Sequence, residues 1–336
     1  KQCWKNNSIM CFKNIQKAAL RVAFFLTVVF TLSACADDKT EYALITNQLS
    51  STVSVIDLST QTVIKTIPVG EHPAGISVSP HHDMAFVTNP DGQTISVLDL
   101  KSLTETRQIK VGPGPVGVTA SKSGTRVYVA DWYENNIRII NPDSGELIDT
   151  IAVGKSPAGL VIDEENQRLY VSNRDDNTVS FIDLSNDQVT HTIEVGESPF
   201  GLAISPDGSR VYSVNVKSSN VTAIDTNTAK VVETIQVGDW PYCAVVSKDN
   251  KKLYVINQDE ATISVVDTTS FDVSNTIDIE DTPEGIDISA DGSQLYAVNW
   301  GDNTVSVIDT KTEKVINSIK TGKGPRSFGQ FITTVE

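Results

Sequence analysis

Cysteine is scarce in this 336-residue chain: there are four, and Cys3, Cys11 and Cys35 fall within the first 35 residues. Only Cys243 lies beyond them, so no internal disulfide and no cysteine-based zinc spacing can hold the remainder together. Packing alone must do it. Long apolar runs are also missing. The longest, Val22 to Leu32, has eleven residues, whereas a membrane-spanning helix needs roughly 20. Helical periodicity longer than a turn or two is absent after residue 40, which excludes helical bundles and alternating α/β folds. Basic side chains are few, 27 against 42 acidic. Five of the basic ones and none of the acidic ones lie in the first 35 residues, which leaves 22 against 42, a formal charge of −20, for the rest. Such a surface repels phosphate backbones, so nucleic-acid binding is disfavoured.

What the first 35 residues do contain is the pattern of an export signal. Lys13, Lys17 and Arg21 form a basic region ahead of the apolar run, with Met10 a natural starting point. The run ends in Leu32-Ser33-Ala34-Cys35, which resembles the bacterial lipoprotein processing box. The resemblance implies a signal peptide over residues 1–34, lipid on Cys35 and a short tether over 35–42. Several acyl chains, at about 0.8 kcal/mol per buried methylene, would hold the protein to a membrane. Ala36 follows the cysteine, which favours the outer membrane and a periplasmic or cell-surface location.

From Ala43 to Glu336 the chain is one sentence written seven times. Copies begin at Ala43, Ala85, Val127, Leu169, Val211, Leu253 and Leu295, each 42 residues long without a gap. Each copy reads as four short strands; in the fourth these are Leu169 to Asn173, Thr178 to Asp183, Gln188 to Val195 and Gly201 to Ser205. Four strands in a repeat of this length predict an all-β, seven-bladed propeller of four-stranded blades. The copies start at the second strand of a blade. The C-terminal inner strand, near Phe328 to Val335, is therefore expected to pair with the N-terminal strands and close the ring.

Phe86-Val87-Thr88-Asn89, Tyr128-Val129-Ala130-Asp131 and Tyr170-Val171-Ser172-Asn173 resemble the signature of YVTN-type, YncE-like β-propeller repeats, and the likeness covers about seven-eighths of the chain. That resemblance implies the fold and leaves the activity open. Related propellers include exported binding proteins, surface-layer proteins, sugar lactonases and haem- or quinone-associated modules. Residues present in every copy read as structural. These are the prolines Pro73, Pro115, Pro157, Pro199, Pro241, Pro283 and Pro325, and the glycines Gly75, Gly117, Gly159, Gly201 and Gly285, crowded round the axis. Asp57, Asp99, Asp183, Asp225, Asp267 and Asp309 read as turn caps, and the asparagines Asn47, Asn89, Asn173, Asn215, Asn257 and Asn299 likewise.

Function then rests on the positions where the copies differ. After the repeated proline stand Ala74, Val116, Ala158, Phe200, Tyr242, Glu284 and Arg326, and before it Trp240 and His72 stand out. The loop after the second strand adds Trp132, Tyr133, Arg174 and Trp300. An arc of Phe200, Trp240, Tyr242, Glu284, Trp300 and Arg326 at the channel mouth is the candidate ligand-binding site, for a small molecule or a protein. A monomeric binding or scaffold module is the favoured reading. The alternatives are a lactonase-like hydrolase using Glu284 with Arg326, and a single-stranded nucleic-acid binder stacking bases on the aromatics. No catalytic set, metal site or cofactor is assigned. The histidines His72, His81, His82 and His191 do not gather, no G-x-S-x-G elbow occurs, and Cys243 reads as a small buried hydrophobe.

Overall fold

The computed structural model describes residues 40–79 and 83–335. The expected signal, Cys35 and most of the expected tether, together with His81 and His82, lie outside them. Thr40 to Tyr42, expected in the tether, belong instead to the first strand, Thr40–Asn47. No helix among the described residues is long and apolar enough to cross a membrane.

Seven antiparallel four-stranded sheets form the blades of a propeller. Blade 4 shows the plan: Pro157–Asp163, Arg168–Asn173, Thr178–Asp183 and Gln188–Glu194 run outwards from the axis in chain order. The inner strands of blades 2 to 7 are Ile76–Ser79, Pro115–Ala120, Pro157–Asp163, Pro199–Ile204, Pro241–Val246 and Pro283–Ile288. Blade 1 takes its inner strand, Ile332–Val335, from the far end of the chain, and Thr333 lies opposite Tyr42 in antiparallel register. Burial follows the radius. The second strand of blade 4 is buried along most of its length, while its outermost strand is exposed almost throughout.

The repeat motif explains what fills the space between blades. Its aromatic position is held by Phe86, Tyr128, Tyr170, Tyr212, Tyr254 and Tyr296, all essentially buried between neighbouring sheets. Removing such a side chain from water stabilises the fold by about 1.5–3 kcal/mol. The repeated aspartates do cap turns: Asp57 Oδ1 accepts from the backbone N–H groups of Ser59 and Thr60 at 2.8 and 3.0 Å. A hydrogen bond from the Ser59 hydroxyl at 2.6 Å, helped by these backbone donors, holds the Asp57 carboxyl below its usual range.

The repeated asparagines act differently from the expectation. They are not turn caps but fully buried cross-links. Asn173 Nδ2 donates to Thr178 Oγ1 at 3.0 Å and to Ser180 Oγ at 2.8 Å, joining the second strand to the third. Asn47, Asn89, Asn215, Asn257 and Asn299 do the same in their blades.

The C-terminal segment has an unusual anchor. Asp287, buried in the inner strand of blade 7, accepts from the backbone N–H groups of Phe331 and Ile332, both at 2.9 Å. Burial nevertheless raises its carboxyl from 3.8 to about 6, outweighing those bonds. A folded-state value above the unfolded one means that stability from this group is complete below pH 3.8 and is lost as pH climbs to about 6. Asp287→Asn should therefore flatten the fall in unfolding free energy between pH 4 and 7, by on the order of 3 kcal/mol. Urea titrations across that window check this, and an unchanged slope in the variant counts against it.

Candidate functional site at the channel mouth

Each inner strand is entered through the residue before the repeated proline, and that residue sets the shape of the mouth. A pre-proline residue ordinarily favours extended backbone. Here His72, Ser156, Ser198, Trp240 and Thr282 all take the left-handed region, with φ of 51 to 54°. The conformation turns the pre-proline carbonyl outwards to accept the first N–H after the second strand. Val216 donates to Ser198, Gln258 to Trp240 and Trp300 to Thr282, at 3.1, 2.9 and 2.9 Å. Blade 2 cannot make this bond, because the donor position is Pro90, which has no N–H. There His72 Nδ1 meets Asp91 Oδ2 at 2.5 Å, and a side-chain pair ties the same two loops together.

The ring just after the proline decides where space remains. Ala74, Val116 and Ala158, on three successive blades, are small. Phe200, Tyr242, Glu284 and Arg326, on the next four, are large. The large ones pack against one another. Phe200 stacks on Tyr242 with centroids 4.3 Å apart, and Phe328 meets Phe200 edge-on at 5.3 Å. Arg326 donates through Nε to Glu284 and through Nη2 to the Tyr242 hydroxyl at 2.9 Å. Gln258 Nε2 holds the other Glu284 oxygen at 3.1 Å.

The void lies over the small side. A cavity of about 920 Å³ opens at the mouth, lined on that side by His72, Ala74, Pro90, Asp91, Val116, Trp132 and Tyr133, and on the other by Trp240, Phe200, Tyr242 and Arg326. Arg174 completes the wall, its guanidinium 5.6 Å from the Trp132 ring centre. Phe200 and Phe328 also line a second cavity, of about 500 Å³, that opens from the opposite end of the axis. The two rings therefore form a septum across the channel.

Of the six residues singled out in the sequence, Phe200, Trp240, Tyr242 and Arg326 line the mouth cavity. Glu284 lies buried behind Arg326, and Trp300 donates through Nε1 to Gln48 Oε1 at 3.2 Å on the rim, outside the lining. Trp132, Tyr133, Arg174 and the His72–Asp91 pair, outside the arc, do line it, as does Phe328, which the sequence reading placed only in the last strand. Their aromatic and charged character was visible; their position over the small half of the ring was not.

Electrostatically the floor is a buried, coupled unit. Burial pushes the Glu284 carboxyl up, partly offset by the Arg326 charge and the bonds from Arg326 and Gln258. The cost of burial to the Arg326 cation is outweighed by Tyr242 and Glu284, which keep it protonated. Burial raises both the Tyr242 hydroxyl and the Cys243 thiol, so neither is an activated nucleophile at neutral pH. With both oxygens of Glu284 engaged, this couple is a support and offers no free general base. Among the described residues no three His, Cys, Asp or Glu side chains gather as a metal site.

The fold and this mouth define an all-β, seven-bladed propeller with an asymmetric, aromatic-walled cavity on its axis. Two family models match: the cytochrome D1 heme domain over residues 158–330, more than half of the chain, and the YNCE-like beta-propeller over residues 27–126. The chain belongs to the propeller family that the first describes, as a YncE-type propeller repeat protein. Among solved structures it is similar to the hydrazine synthase of Kuenenia stuttgartiensis, with 22% identity and a TM-score of 0.71 over 80% of this chain and 92% of that one. It is also similar to a functionally unknown protein from Desulfotomaculum acetoxidans, with 15% identity and a TM-score of 0.75 over 88% and 99%. At these identities the likeness is one of fold. No curated protein matches.

A haem needs an axial donor over an apolar slot. Among the described residues lining the mouth, His72 and Tyr133 are the exposed candidates: the His72 side chain stands on the rim, 47% exposed, with Nδ1 on Asp91, and Tyr133 is 71% exposed, away from any apolar slot. Cys243 lines the cavity beyond the septum, and the Tyr242 hydroxyl is bound to Arg326. These residues do not fit a haem.

The buried pair makes a direct stability prediction. Glu284→Ala strands a buried guanidinium and should lower the unfolding free energy by about 3–5 kcal/mol, with Glu284→Gln costing less. Denaturant titration of both variants checks this, and a loss below about 1 kcal/mol in Glu284→Ala would show that the pair does not support the floor.

Proposed function

We propose that this protein is an exported, lipid-tethered binding module that recognises a small molecule or a protein segment at the mouth of its propeller. The observation that carries the reading is the one-sided mouth cavity of about 920 Å³ with six aromatic side chains in its wall: Trp132, Tyr133, Phe200, Trp240, Tyr242 and Phe328. Clefts of this size, walled by aromatic side chains with a few polar groups, suit ligands. Trp240 supports it further. An aromatic residue at φ 54° is conformationally costly, and its ring is still 39% exposed. Packing does not explain why a tryptophan stands there. Recognition does.

Lipid on Cys35 would hold the module at an envelope membrane, the outer one by preference, and the −20 balance of the exported part speaks against a polyanionic partner. A monomer suffices for this role, because the mouth is complete within one chain.

Two measurements test the reading. In a thermal-shift screen of small molecules and envelope extracts, ligands that stabilise the wild type should bind Trp240→Ala and Trp132→Ala at least about tenfold more weakly. Equal binding by all three proteins would remove the mouth as the site. Separately, Cys35→Ser should move the protein from the membrane fraction to the soluble one, and its staying put would refute the lipid tether.

A further inference from the structure

A guanidinium carries five N–H donors. At Arg326 the Nε donor is on Glu284 and one Nη2 donor is on the Tyr242 hydroxyl. The other three, two on Nη1 and one on Nη2, have no acceptor among the described residues. The side chain lines the mouth cavity and not the one below the septum, and 23% of it is exposed. The open edge thus faces the mouth. Glu284 does not line the cavity, so its carboxylate leaves that edge uncovered.

The orientation is fixed as well as open. Glu284 and Tyr242 hold two points of the guanidinium plane, and Phe328 lies with its ring centre 5.7 Å from Cζ. Phe200, Tyr242 and Phe328 wall the donors in, which limits how well water can satisfy them. A planar pair of charged acceptors in their place makes bonds about twice as strong as neutral ones. The rest of the lining points the same way. Arg174 is a second guanidinium in the wall, with one Nη1 donor on Asp175 at 2.8 Å, and Asp91 is the one carboxylate of the lining, already on His72. In a chain this acidic, a lining of two guanidinium groups and one carboxylate favours an anion over a cation.

We propose that the mouth binds an aromatic carboxylate, whose two oxygens accept from the open Nη1–Nη2 edge of Arg326 while its ring lies among Phe200, Trp132 and Trp240. The proposal rests on the mouth being the binding site and adds the class of ligand.

The test uses indole-3-acetate, indole-3-acetamide and 3-methylindole as probes, titrated calorimetrically into the full chain. Wild type should bind the acetate at least about tenfold more tightly than the amide, the factor that one good charged contact supplies. Arg326→Lys keeps a cation for Glu284 but lacks the planar edge. It should abolish that preference while leaving affinity for 3-methylindole within about twofold. Trp240→Ala should weaken all three probes. Equal affinity of wild type for acetate and amide overturns the proposal without any variant, so misfolding of Arg326→Lys cannot shield it. Binding that depends on Trp240 but ignores the carboxylate overturns this inference and leaves the mouth reading standing. Absence of binding by every probe overturns this inference alone, and binding indifferent to Trp240 overturns both.

Discussion

Seven inner strands must pass one another around a single axis, and the closeness of that passage governs everything else. A Cβ placed on Gly117 would stand 1.9 Å from the carbonyl oxygen of Ala158 in the next blade. On Gly159 it would stand 2.3 Å from that of Phe200, and on Gly201 2.5 Å from that of Tyr242. Backbone against backbone leaves no room for a side chain at these glycines, and the two blades without one carry only the small Cys243 and Ser327 at this level. Variation is forced one residue towards the mouth, to the position between proline and glycine, where side chains can project over the axis. The sequence can differ between blades there without opening the ring, and there it does differ.

The ungapped period made the blade number and strand order legible, and the turn aspartates and inter-blade aromatics followed from local chemistry. Three features did not. A buried asparagine and a turn asparagine look the same in a sequence, because both end a strand and precede a polar loop. The left-handed pre-proline residues run against the ordinary preference. In blades 4 to 7 they persist because the carbonyl gains a partner from the neighbouring loop of its own blade, as Trp240 does from Gln258. The gap beside the arc was not legible, because large, unusual side chains mark groups and not empty space. Phe200, Tyr242, Glu284 and Arg326 fill their half of the ring, and space is left over Ala74 and Val116. A ligand needs both the groups and the gap.

Departure from the repeat is therefore not by itself a mark of function; the location of the compensating partner matters more. In blade 3 Asp131 replaces the buried asparagine and Arg138 replaces the hydroxyl it would bind, and the two pair at 3.0 Å within one sheet. Glu280 replaces a glycine and accepts from Asn299, Ser306 and Ser318 of blade 7 at 3.0, 3.2 and 2.8 Å. Both exchanges are settled locally and expose nothing. Phe200, Tyr242, Glu284 and Arg326 compensate one another across four consecutive inner strands, and two of the four present aromatic surface and one a charged edge to the mouth.

The last of those strands links recognition to the integrity of the fold. Arg326 and Phe328 belong to the segment that crosses to the start of the chain. Arg326 N donates to Thr46 O at 2.9 Å, and Ser327 N to Thr46 Oγ1 at 2.8 Å. Thr46 N in turn donates to Ser327 Oγ at 2.7 Å. The guanidinium at the mouth and one of the two rings of the septum are thus held in place by contacts between the first strand and the segment that leads into the last one. Loosening those contacts would move the floor of the cavity as well as the edge of a sheet. A ligand seated on Arg326 would, by the same linkage, favour the arrangement in which the two ends are joined.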